Sequence, residues 1–320
     1  MILKPISDKE AFFARSGHMG GVFASRDWLR IYGEALSLVG IYKDEHQLIG
    51  GFFYLSVKKY GFRFIKLPPY TPHCGLFFIS ESKNKSSANS FAKEVMEDVC
   101  AYITAQKATL TVLAFPFSVV DMQPFIWNKY KVVPNYTYRI KLDQPMDAIV
   151  ANFDAKNRNA IAKAIKEQVE VKRDHMSKEE LYAFFVSSLE TAGANVYKNE
   201  LKAVFQIFSS THNSFSMEAY KDKELLGTVF CIHDAATCYY LLGGVNKKSG
   251  VQGVNNLLVQ TCIEEAKNRG CTVFDFEGSM LKGVEKFFRS FGPELVPYYT
   301  VNKGSLPLEL MLKFKKRELF

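Results

Sequence analysis

The sequence lacks several features that would assign it to a class at once. Its six cysteines are scattered and form no C-x-x-C pair, so the dense spacing of a secreted disulfide framework is absent. No stretch approaches about 18 uninterrupted apolar residues, and the N-terminal segment carries Asp8 and Glu10 where a secretory signal needs apolar side chains. We therefore expect a soluble, cytoplasmic protein with free thiols.

Histidine and metal signatures are also missing. The six histidines form neither an H-E-x-x-H pattern nor a triad-like local motif, so a histidine-based hydrolase has no support. Cys231 and Cys238 flank the hairpin tip IHDAAT with His233 nearby, but no residue at ligand spacing supplies a third and a fourth ligand. The sequence predicts buried thiols here and no metal site.

The overall composition is that of an ordinary globular protein. Hydrophobic residues make up 48% and charged residues 23% of a 320-residue chain, which is enough for about two domains. The excess of 41 Lys and Arg over 33 Asp and Glu gives a net charge of +8. This charge favours an anionic partner, but it does not choose among a phosphorylated carrier, a nucleic acid and a membrane surface.

Two matches between the halves of the chain occur in the same order. YKDEHQLIGGFF, from Tyr42, matches YKDKELLGTVF, from Tyr220, and VPNYT, around Pro134, matches VPYYT, around Pro297. A helical segment followed by an apolar run lies between the two markers in each half. We interpret the chain as two copies of one α/β unit, residues 1–145 and 146–302, followed by a basic tail, 303–320.

A glycine-containing loop precedes one predicted helix of the second copy. The strand Thr237–Val245 leads into KKSGVQGVNN, and the helix begins near Val254. Gly250 and Gly253 free the backbone at the helix entry, whose unpaired N–H groups suit a phosphate, and the preceding lysines add positive charge. An ordinary strand-to-helix turn explains the same residues equally well.

Two acidic residues lie at the end of a predicted strand. Asp275 and Glu277 alternate with Phe274 and Phe276, so both carboxylates are predicted on one face. Such a pair can form a site, because one acid can be held neutral by the other and by partial burial. Capping of a helix or a salt bridge remains an alternative for either acid.

Basic residues on two predicted helices are further candidates. Arg158 lies on the flank of an apolar stripe beside Ile165, where a half-buried guanidinium suits a phosphate or carboxylate; a structural ion pair is the alternative. In KGVEKFFRSFG the aromatic side chains are predicted to pack inward, and the three cations lie on the other faces, where solvated surface charges are the first interpretation and a contact with a phosphate or carboxylate is the alternative. These cations are Lys282, Lys286 and Arg289.

The C-terminal tail combines apolar and basic residues. In LPLELMLKFKKRELF, Leu308, Met311, Leu312 and Phe314 are surrounded by lysines and an arginine. The pattern predicts a helix that docks on the body of the protein. A basic amphipathic helix at an anionic membrane surface is the alternative.

The motifs of the second copy together resemble a known family. The glycine-containing loop, FDFEGS, GVEKFFRSFG and VPYYT are similar to the C-terminal half of the Fem-type peptidyltransferases, which consist of two tandem GNAT-type acyltransferase units. The resemblance covers about residues 146–302, and it reaches the first half through the duplication. It implies an α/β (α+β) fold of two tandem GNAT-like units, each a mixed, mostly antiparallel sheet flanked by helices. The loop Lys247–Gly253 departs from the Q/R-x-x-G-x-G/A signature of active GNAT enzymes.

The resemblance also implies a function. A Fem-like protein moves an acyl or aminoacyl group from acyl-coenzyme A or aminoacyl-tRNA to an amine, such as that of a cell-wall or lipid-linked precursor. N–H groups of a splayed strand, near Gly243 and Gly244, would polarise the acyl group. A catalytically inactive GNAT-like module that binds a phosphorylated ligand is the alternative, and no tightly bound cofactor or DNA contact is expected.

The resemblance assigns roles to individual residues of this sequence. Asp275 matches a characteristic aspartate, Ser279 a small polar residue after it, and Arg289 stands in the lysine position of F-K-x-x-F-G. The predicted catalytic residues are Asp275, Glu277 and Ser279. The predicted donor-binding residues are Lys247, Lys248, Gly250, Gly253 and Asn255, and the predicted substrate-binding residues are Arg158, Lys282, Lys286, Arg289 and Tyr299.

Overall fold

The structure is a computed structural model that describes residues 1–208, 212–278 and 280–315. Its strands are β1 (Ile2–Pro5), β2 (Leu36–Tyr42), β3 (Leu48–Lys59), β4 (Phe62–Lys66), β5 (Phe77–Phe78), β6 (Leu110–Ala114), β7 (Lys131–Lys141), β8 (Glu170–Arg173), β9 (Ser214–Lys221), β10 (Glu224–His233), β11 (Thr237–Val245), β12 (Val273–Asp275) and β13 (Glu294–Gly304). Its helices are α1 (Lys9–Met19), α2 (Arg26–Leu29), α3 (Lys85–Ala105), α4 (Gln123–Trp127), α5 (Met146–Ala151), α6 (Ala155–Lys166), α7 (Lys178–Thr191), α8 (Lys198–Phe208), α9 (Val254–Asn268), α10 (Lys282–Arg289) and α11 (Leu306–Lys315).

The chain divides into two compact units. Unit 1 contains Met1–Asn135 and the chain from Pro297 onward, and unit 2 contains Tyr136–Val296. The sequence division at residues 145 and 302 follows the ends of the two repeats. The structural division instead lies inside β7 and β13, because each of these strands begins in one unit and ends in the other.

Both units have the same sheet plan. The strand order is β1-β2-β3-β4-β6-β13 in unit 1, with β5 added to β3, and β8-β9-β10-β11-β12-β7 in unit 2. Neighbouring strands are antiparallel except for one parallel pair in each unit, β4 with β6 and β11 with β12. A parallel pair needs a crossover connection, which α3 supplies in unit 1 and α9 in unit 2. The predicted mixed, mostly antiparallel sheets with flanking helices are confirmed.

Each unit has its own apolar core. In unit 2 the core is centred on one face of the sheet and on α9, with Leu258, Val259 and Phe274 fully buried. In unit 1 the sheet packs on α3, where Val95 and Val99 are fully buried. Burial of apolar surface is the main favourable contribution to folding, so each unit has a hydrophobic core that can stabilise its sheet.

The termini of several helices follow from local sequence. Ser177 begins α7 with a capping box, in which its hydroxyl accepts from the Glu180 N–H and the Glu180 side chain accepts in return. Asp154 caps α6 by accepting the Asn157 N–H. No helix in residues 1–208, 212–278 and 280–315 is both long and apolar enough to cross a membrane.

Candidate active site

The two parallel strands of unit 2 diverge after a short paired stretch. β11 pairs with β12 from Thr237 to Tyr239, and β12 ends at Asp275, whereas β11 continues to Val245 with β10 on its other edge. We call the opening between residues 240–245 of β11 and residues 276–278 the notch. Alternate N–H groups of β11 point away from β10 and into the notch, as the strand geometry requires.

The chain turns sharply where β12 ends. Glu277 and Gly278 have φ values of 59° and 77°, which is left-handed backbone. A Cβ atom on Gly278 would lie 2.5 Å from the carbonyl oxygen of Tyr136, so glycine permits the close approach of β7. Glu277 therefore lies in a turn and not on the strand face that alternation with Asp275 predicts.

The N-terminus of α9 follows β11 directly. Gly253 precedes the helix with a φ of 80°, and no side chain of the described chain caps the first N–H groups. Those groups have no partner inside the helix and carry the positive end of its dipole, so they can receive an anion. Gly253 also has a packing role, because a Cβ there would lie 2.0 Å from the Ala160 carbonyl oxygen on α6.

The remaining predicted donor residues surround this helix entry. Gly250 has a φ of 68° with open space around it, and Lys248 is exposed. Lys247 lies in the same short turn, and its side chain is outside the described part of the structure. The Asn255 side chain hydrogen-bonds the Tyr240 hydroxyl, while its Oδ1 is buried without a partner in the described chain.

Tyr240 links the helix entry to the notch. A Cβ on Gly243 would lie 1.6 Å from the Tyr240 hydroxyl oxygen, so this hydroxyl lies directly against the β11 backbone. Burial raises the pKa of Tyr240, which keeps the phenol protonated. Asn255, Tyr240 and Gly243 thus connect the anion-receiving helix terminus to the edge of β11.

Asp275 has several partners at the end of β12. Its Oδ1 accepts from the Thr137 hydroxyl at 2.5 Å and from the Glu277 N–H at 2.9 Å. Its Oδ2 lies 3.2 Å from Nε of Arg139, which is opposite it on β7. Burial raises the pKa of Asp275, and Thr137 and Arg139 act in the opposite direction. These contacts favour a positioning role for this carboxylate.

Glu277 is placed differently. Its Oε1 is buried and has no hydrogen-bond partner in the described chain. Burial, and then the charge of Asp275, raises the pKa of Glu277 well above its usual range. Its negative charge contributes to the raised pKa of the Cys231 thiol on β10. A carboxyl held neutral at this position can donate a proton.

Arg158 does not have the predicted half-buried position. The residue is exposed, and its Nη1 donates to the carbonyl oxygens of Ala151 and Phe153. The prediction of a half-buried cation beside Ile165 is wrong, because Ile165 is itself 57% exposed and gives no shelter. Arg158 instead satisfies carbonyl groups at the end of α5.

The cations of α10 lie on its solvent side. Lys282, Lys286 and Arg289 are exposed, and Arg289 Nε lies 2.7 Å from the Glu285 carboxylate. Glu285 also accepts from the Tyr138 hydroxyl at 2.7 Å, which connects α10 to β7. These contacts agree with solvated surface charges as well as with a substrate-binding role.

Three further predictions concern residues outside the described part of unit 2. Ser279 lies outside the described residues. Tyr299 belongs to unit 1, where its side chain packs against the apolar core. In α11, Leu306 and Phe314 are largely exposed, at 78% and 91%, and the tail beyond residue 315 lies outside the described residues.

All six cysteines are free and buried. Burial raises the pKa of the thiols on β10, β11 and α9, namely Cys231, Cys238 and Cys262. Buried neutral thiols of this kind are unreactive. Within residues 1–208, 212–278 and 280–315 no group of three His, Cys, Asp or Glu side chains is arranged to hold a metal ion.

Unit 1 does not repeat these features at the equivalent place. Beyond the end of β4, Cys74 donates its N–H to Ala114 on β6 at 2.9 Å and accepts from Phe53 on β3 at 3.0 Å. Cys74 therefore occupies the position of a continuing β4 and leaves no divergence between these strands. The N-terminus of α3 is also capped, because the Asn84 side chain accepts from the Ser87 N–H at 2.9 Å.

Sequence reasoning missed Thr137 and Arg139, the partners of Asp275. Both lie on β7, and the duplication assigns that segment to the first copy. The available signal was the mixed polar and apolar alternation in NYTYRIK, which places Thr137 and Arg139 on one face of the strand. The change of unit inside the strand could not be read from that pattern.

Comparisons with known proteins agree with this architecture. Residues 151–289 match the family described as "Acetyltransferase (GNAT) domain". No curated protein sequence matches the chain at a significant level. Among solved structures, the chain is similar to FemX, with a TM-score of 0.67, 14% identity, and coverage of 98% of this chain and 100% of that one.

Two further structures share the fold over nearly the whole chain. L-PGS from Bacillus licheniformis gives a TM-score of 0.56 at 14% identity and covers 98% of this chain and 97% of its own. A tandem GNAT protein from the clavulanic acid biosynthesis pathway gives 0.54 at 11% identity, with coverage of 94% and 98%. The predicted resemblance to Fem-like, tandem GNAT proteins is thereby confirmed at the level of the fold.

Proposed function

We propose that this protein, whose fold is that of the tandem GNAT proteins, is an acyltransferase whose unit 2 carries the reaction. It moves an acyl or aminoacyl group from a phosphate-bearing carrier, acyl-coenzyme A or aminoacyl-tRNA, to an amine. One observation carries the proposal: an open notch beside an uncapped helix terminus occurs in unit 2, whereas the same place in unit 1 is filled by Cys74 and capped by Asn84.

The donor binds at the entry of α9. The first N–H groups of the helix, from Val254 to Asn256, receive the phosphate of the carrier, and Lys247 and Lys248 add positive charge. Gly250 and Gly253 keep side chains away from the approaching anion. Asn255 and Tyr240 lie between the phosphate and the edge of β11, and the acyl group lies in the notch at that edge.

The notch supplies the groups that acyl transfer needs. N–H groups of β11 near Gly243 and Gly244 stabilise the oxyanion that develops on the acyl carbonyl. Asp275 holds the turn through the Glu277 N–H and raises the pKa of the Glu277 carboxyl. The raised pKa favours the protonated form of Glu277, which gives its proton to the leaving carrier.

The acceptor is an amine on a small molecule or on a cell-wall or lipid-linked precursor. The resemblance of the unit 2 motifs to the Fem-type peptidyltransferases is the basis for this range of acceptors, and FemX and L-PGS share the fold. Lys282, Lys286 and Arg289 present positive charge to an anionic acceptor, and Ser279 completes the predicted catalytic set. For a lipid-linked acceptor, the apolar and basic residues of α11 provide a surface with which the protein contacts the membrane. The net charge of +8 also favours binding of a tRNA donor.

Donor binding by calorimetry tests the proposal. Lys247→Glu/Lys248→Glu reverses the charge at the entry of α9, so acetyl-coenzyme A and charged tRNA should bind at least about tenfold more weakly, with a weaker salt dependence. Lys83→Glu/Lys85→Glu, at the entry of α3 in unit 1, is the matched control and should bind as the wild type does. Equal donor affinity in the first double variant would remove this site from consideration.

Transfer assays separate the enzyme from its alternative. Wild-type protein should acylate at least one amine when supplied with acetyl-coenzyme A or aminoacyl-tRNA and a panel of small and lipid-linked amines. Tight donor binding without transfer to any of them would instead indicate a catalytically inactive binding module. The departure of the loop from the usual signature permits that outcome.

A further inference from the structure

A row of residues crosses the unit 2 sheet on the face that α7 and α8 cover. Glu218 on β9 pairs with Thr228 on β10, and Thr228 pairs with Gly244 on β11. The face is identified by Phe230, two residues along β10 from Thr228, whose ring centroid lies 5.0 Å from that of Phe205 on α8. The row therefore runs from the edge of the core to the β11 backbone at the notch.

Two polar atoms in this row are buried without partners in the described chain. Glu218 and Thr228 are both 0% exposed, and Oε1 of Glu218 and Oγ1 of Thr228 have no hydrogen-bond partner there. The other carboxylate oxygen of Glu218, Oε2, accepts from the His175 N–H at 3.1 Å. Because an unsatisfied buried polar group opposes folding, two of them on facing positions call for a functional explanation.

Gly244 brings a further hydroxyl to the row. A Cβ there would lie 2.5 Å from Oγ of Ser188 and 3.0 Å from the Phe184 ring, both on α7, so α7 packs directly on this face of Gly244 and the Ser188 hydroxyl lies over β11. Adjacent strands are about 4.8 Å apart, which puts Glu218 roughly 10 Å from the Gly244 backbone. One threonine hydroxyl and one bridging water can span that distance, and a water at this place would satisfy both unpartnered atoms.

We propose that Glu218 is the proton acceptor for the substrate amine, acting through Thr228, and that the amine binds in the notch, at the open edge of Gly244, as a primary ammonium. This rests on the proposed function. The ammonium gives one proton through the water and the Thr228 hydroxyl to the Glu218 carboxylate. The free amine then attacks the acyl carbon, forming the C–N bond.

The remaining steps return every proton. The bond between the acyl carbon and the carrier breaks, and the leaving carrier takes the proton of Glu277. The new amide nitrogen gives its extra proton back to Glu277, and Glu218 releases its proton to solvent. The two carboxyls thus serve opposite sides of the reaction, with Glu218 on the acceptor side and Glu277 on the donor side.

The electrostatic surroundings of Glu218 favour a cation nearby. Its titratable neighbours in the described chain are Asp174 and His175 before α7, Tyr220 on β9 and Cys262 on α9. Burial and then Asp174 raise the pKa of Glu218, while the Ser216 hydroxyl and the His175 N–H favour its charged form. An ammonium near Gly244 would further favour the charged form of Glu218.

The pH dependence of kcat/KM tests the assignment, with acetyl-coenzyme A as donor. Glu218→Gln should lower turnover about a hundredfold and abolish the acid limb of the profile, because only the carboxylate accepts a proton. Thr228→Val should lower turnover with the limb retained, and Thr228→Ser should restore it. Ser214→Ala, on the same face of β9, is the matched control. A Glu218→Gln enzyme with a wild-type profile would overturn the proposal.

Infrared spectroscopy decides the question even if acyl transfer is not found. In wild-type protein titrated with acid, the band of a protonated buried carboxyl should appear, should be lost in Glu218→Gln, and should shift in Thr228→Val. A Glu218 band that Thr228→Val leaves unshifted would contradict the connection between the two residues. Failure of the donor-binding experiment would contradict the proposed function without affecting this band.

Discussion

The carboxylate of Asp275 contacts Thr137, Arg139 and the Glu277 N–H, whereas Glu277 keeps one buried oxygen without a partner in the described chain. Two acids two residues apart therefore have different surroundings. Burial raises the pKa of both acids, but hydrogen bonds and a guanidinium oppose that rise at Asp275, whereas a neighbouring negative charge adds to it at Glu277. This difference supports one positioning residue and one proton donor.

Asp275→Asn tests this division through the pH profile. Because the charge of Asp275 raises the pKa of Glu277, its removal should lower that pKa. The active form of Glu277 is protonated, so activity is lost as pH rises through this pKa, and the alkaline limb should move to lower pH. Turnover at the wild-type optimum should fall about a hundredfold.

The matched control for this substitution is Asp143→Asn, which removes an exposed carboxylate of the same unit. Its pH profile should be that of the wild type. A Asp275→Asn protein that loses turnover but keeps the alkaline limb in place would show that Asp275 acts on the fold alone. Full activity would show that it is not needed.

At the scale of elements, the entry of α9 is fixed by its packing on α6. Gly253 approaches the Ala160 carbonyl so closely that any side chain must displace backbone. Nearby, Asn256 donates to Asn157 at 3.0 Å, and Asn157 donates to the Ser290 hydroxyl at 3.1 Å. The helix terminus that is proposed to receive the phosphate is therefore held in place before the donor arrives.

Two glycine substitutions separate backbone strain from packing. Gly253→Ala combines a left-handed backbone with a clash and should lower the free energy of unfolding by about 3 kcal/mol. Gly250→Ala has a similar φ but open space, so about 1 kcal/mol is expected. Urea denaturation of both variants measures the difference; equal losses would mean that α6 yields to the added methyl group.

The sequence predicted these elements better than the site. α9 begins at Val254 as predicted, because the glycine at 253 marks the helix start by local chemistry. The helix and the strand between the two markers of each copy followed from the repeat; they are α3 and β6 in unit 1, and α9 and β12 in unit 2. The surroundings of Asp275 could not be predicted, because Thr137 and Arg139 come from a strand far away in sequence. The burial of Arg158 was predicted wrongly, because an apolar stripe does not reveal which of its residues stay exposed.

At the scale of the whole molecule, units 1 and 2 share one sheet plan but differ in the segment that follows the equivalent strands β4 and β11. β4 is followed by the loop 67–76, whose Cys74 continues the sheet between β3 and β6. β11 is followed by a short turn and by α9. The space beyond the paired stretch of the two parallel strands is thus filled in unit 1 and open in unit 2.

This difference predicts the number of donor molecules bound. Calorimetric titration with coenzyme A should give one molecule per chain, because within residues 1–208, 212–278 and 280–315 only unit 2 combines an open notch with an uncapped helix. Lys247→Glu/Lys248→Glu should weaken this one site. Two equivalent sites, or a site that survives in the double variant, would contradict the assignment to unit 2.

The passage of the chain between units inside β7 and β13 has a consequence for synthesis. Unit 2 is one continuous segment, Tyr136–Val296, whereas unit 1 needs residues 300–304 of β13 to pair with β6. A ribosome therefore delivers every strand of unit 2 before it delivers the last strand of unit 1. The unit whose synthesis starts first is completed last, and until then β6 has an unpaired edge that a nascent chain must protect from other strands.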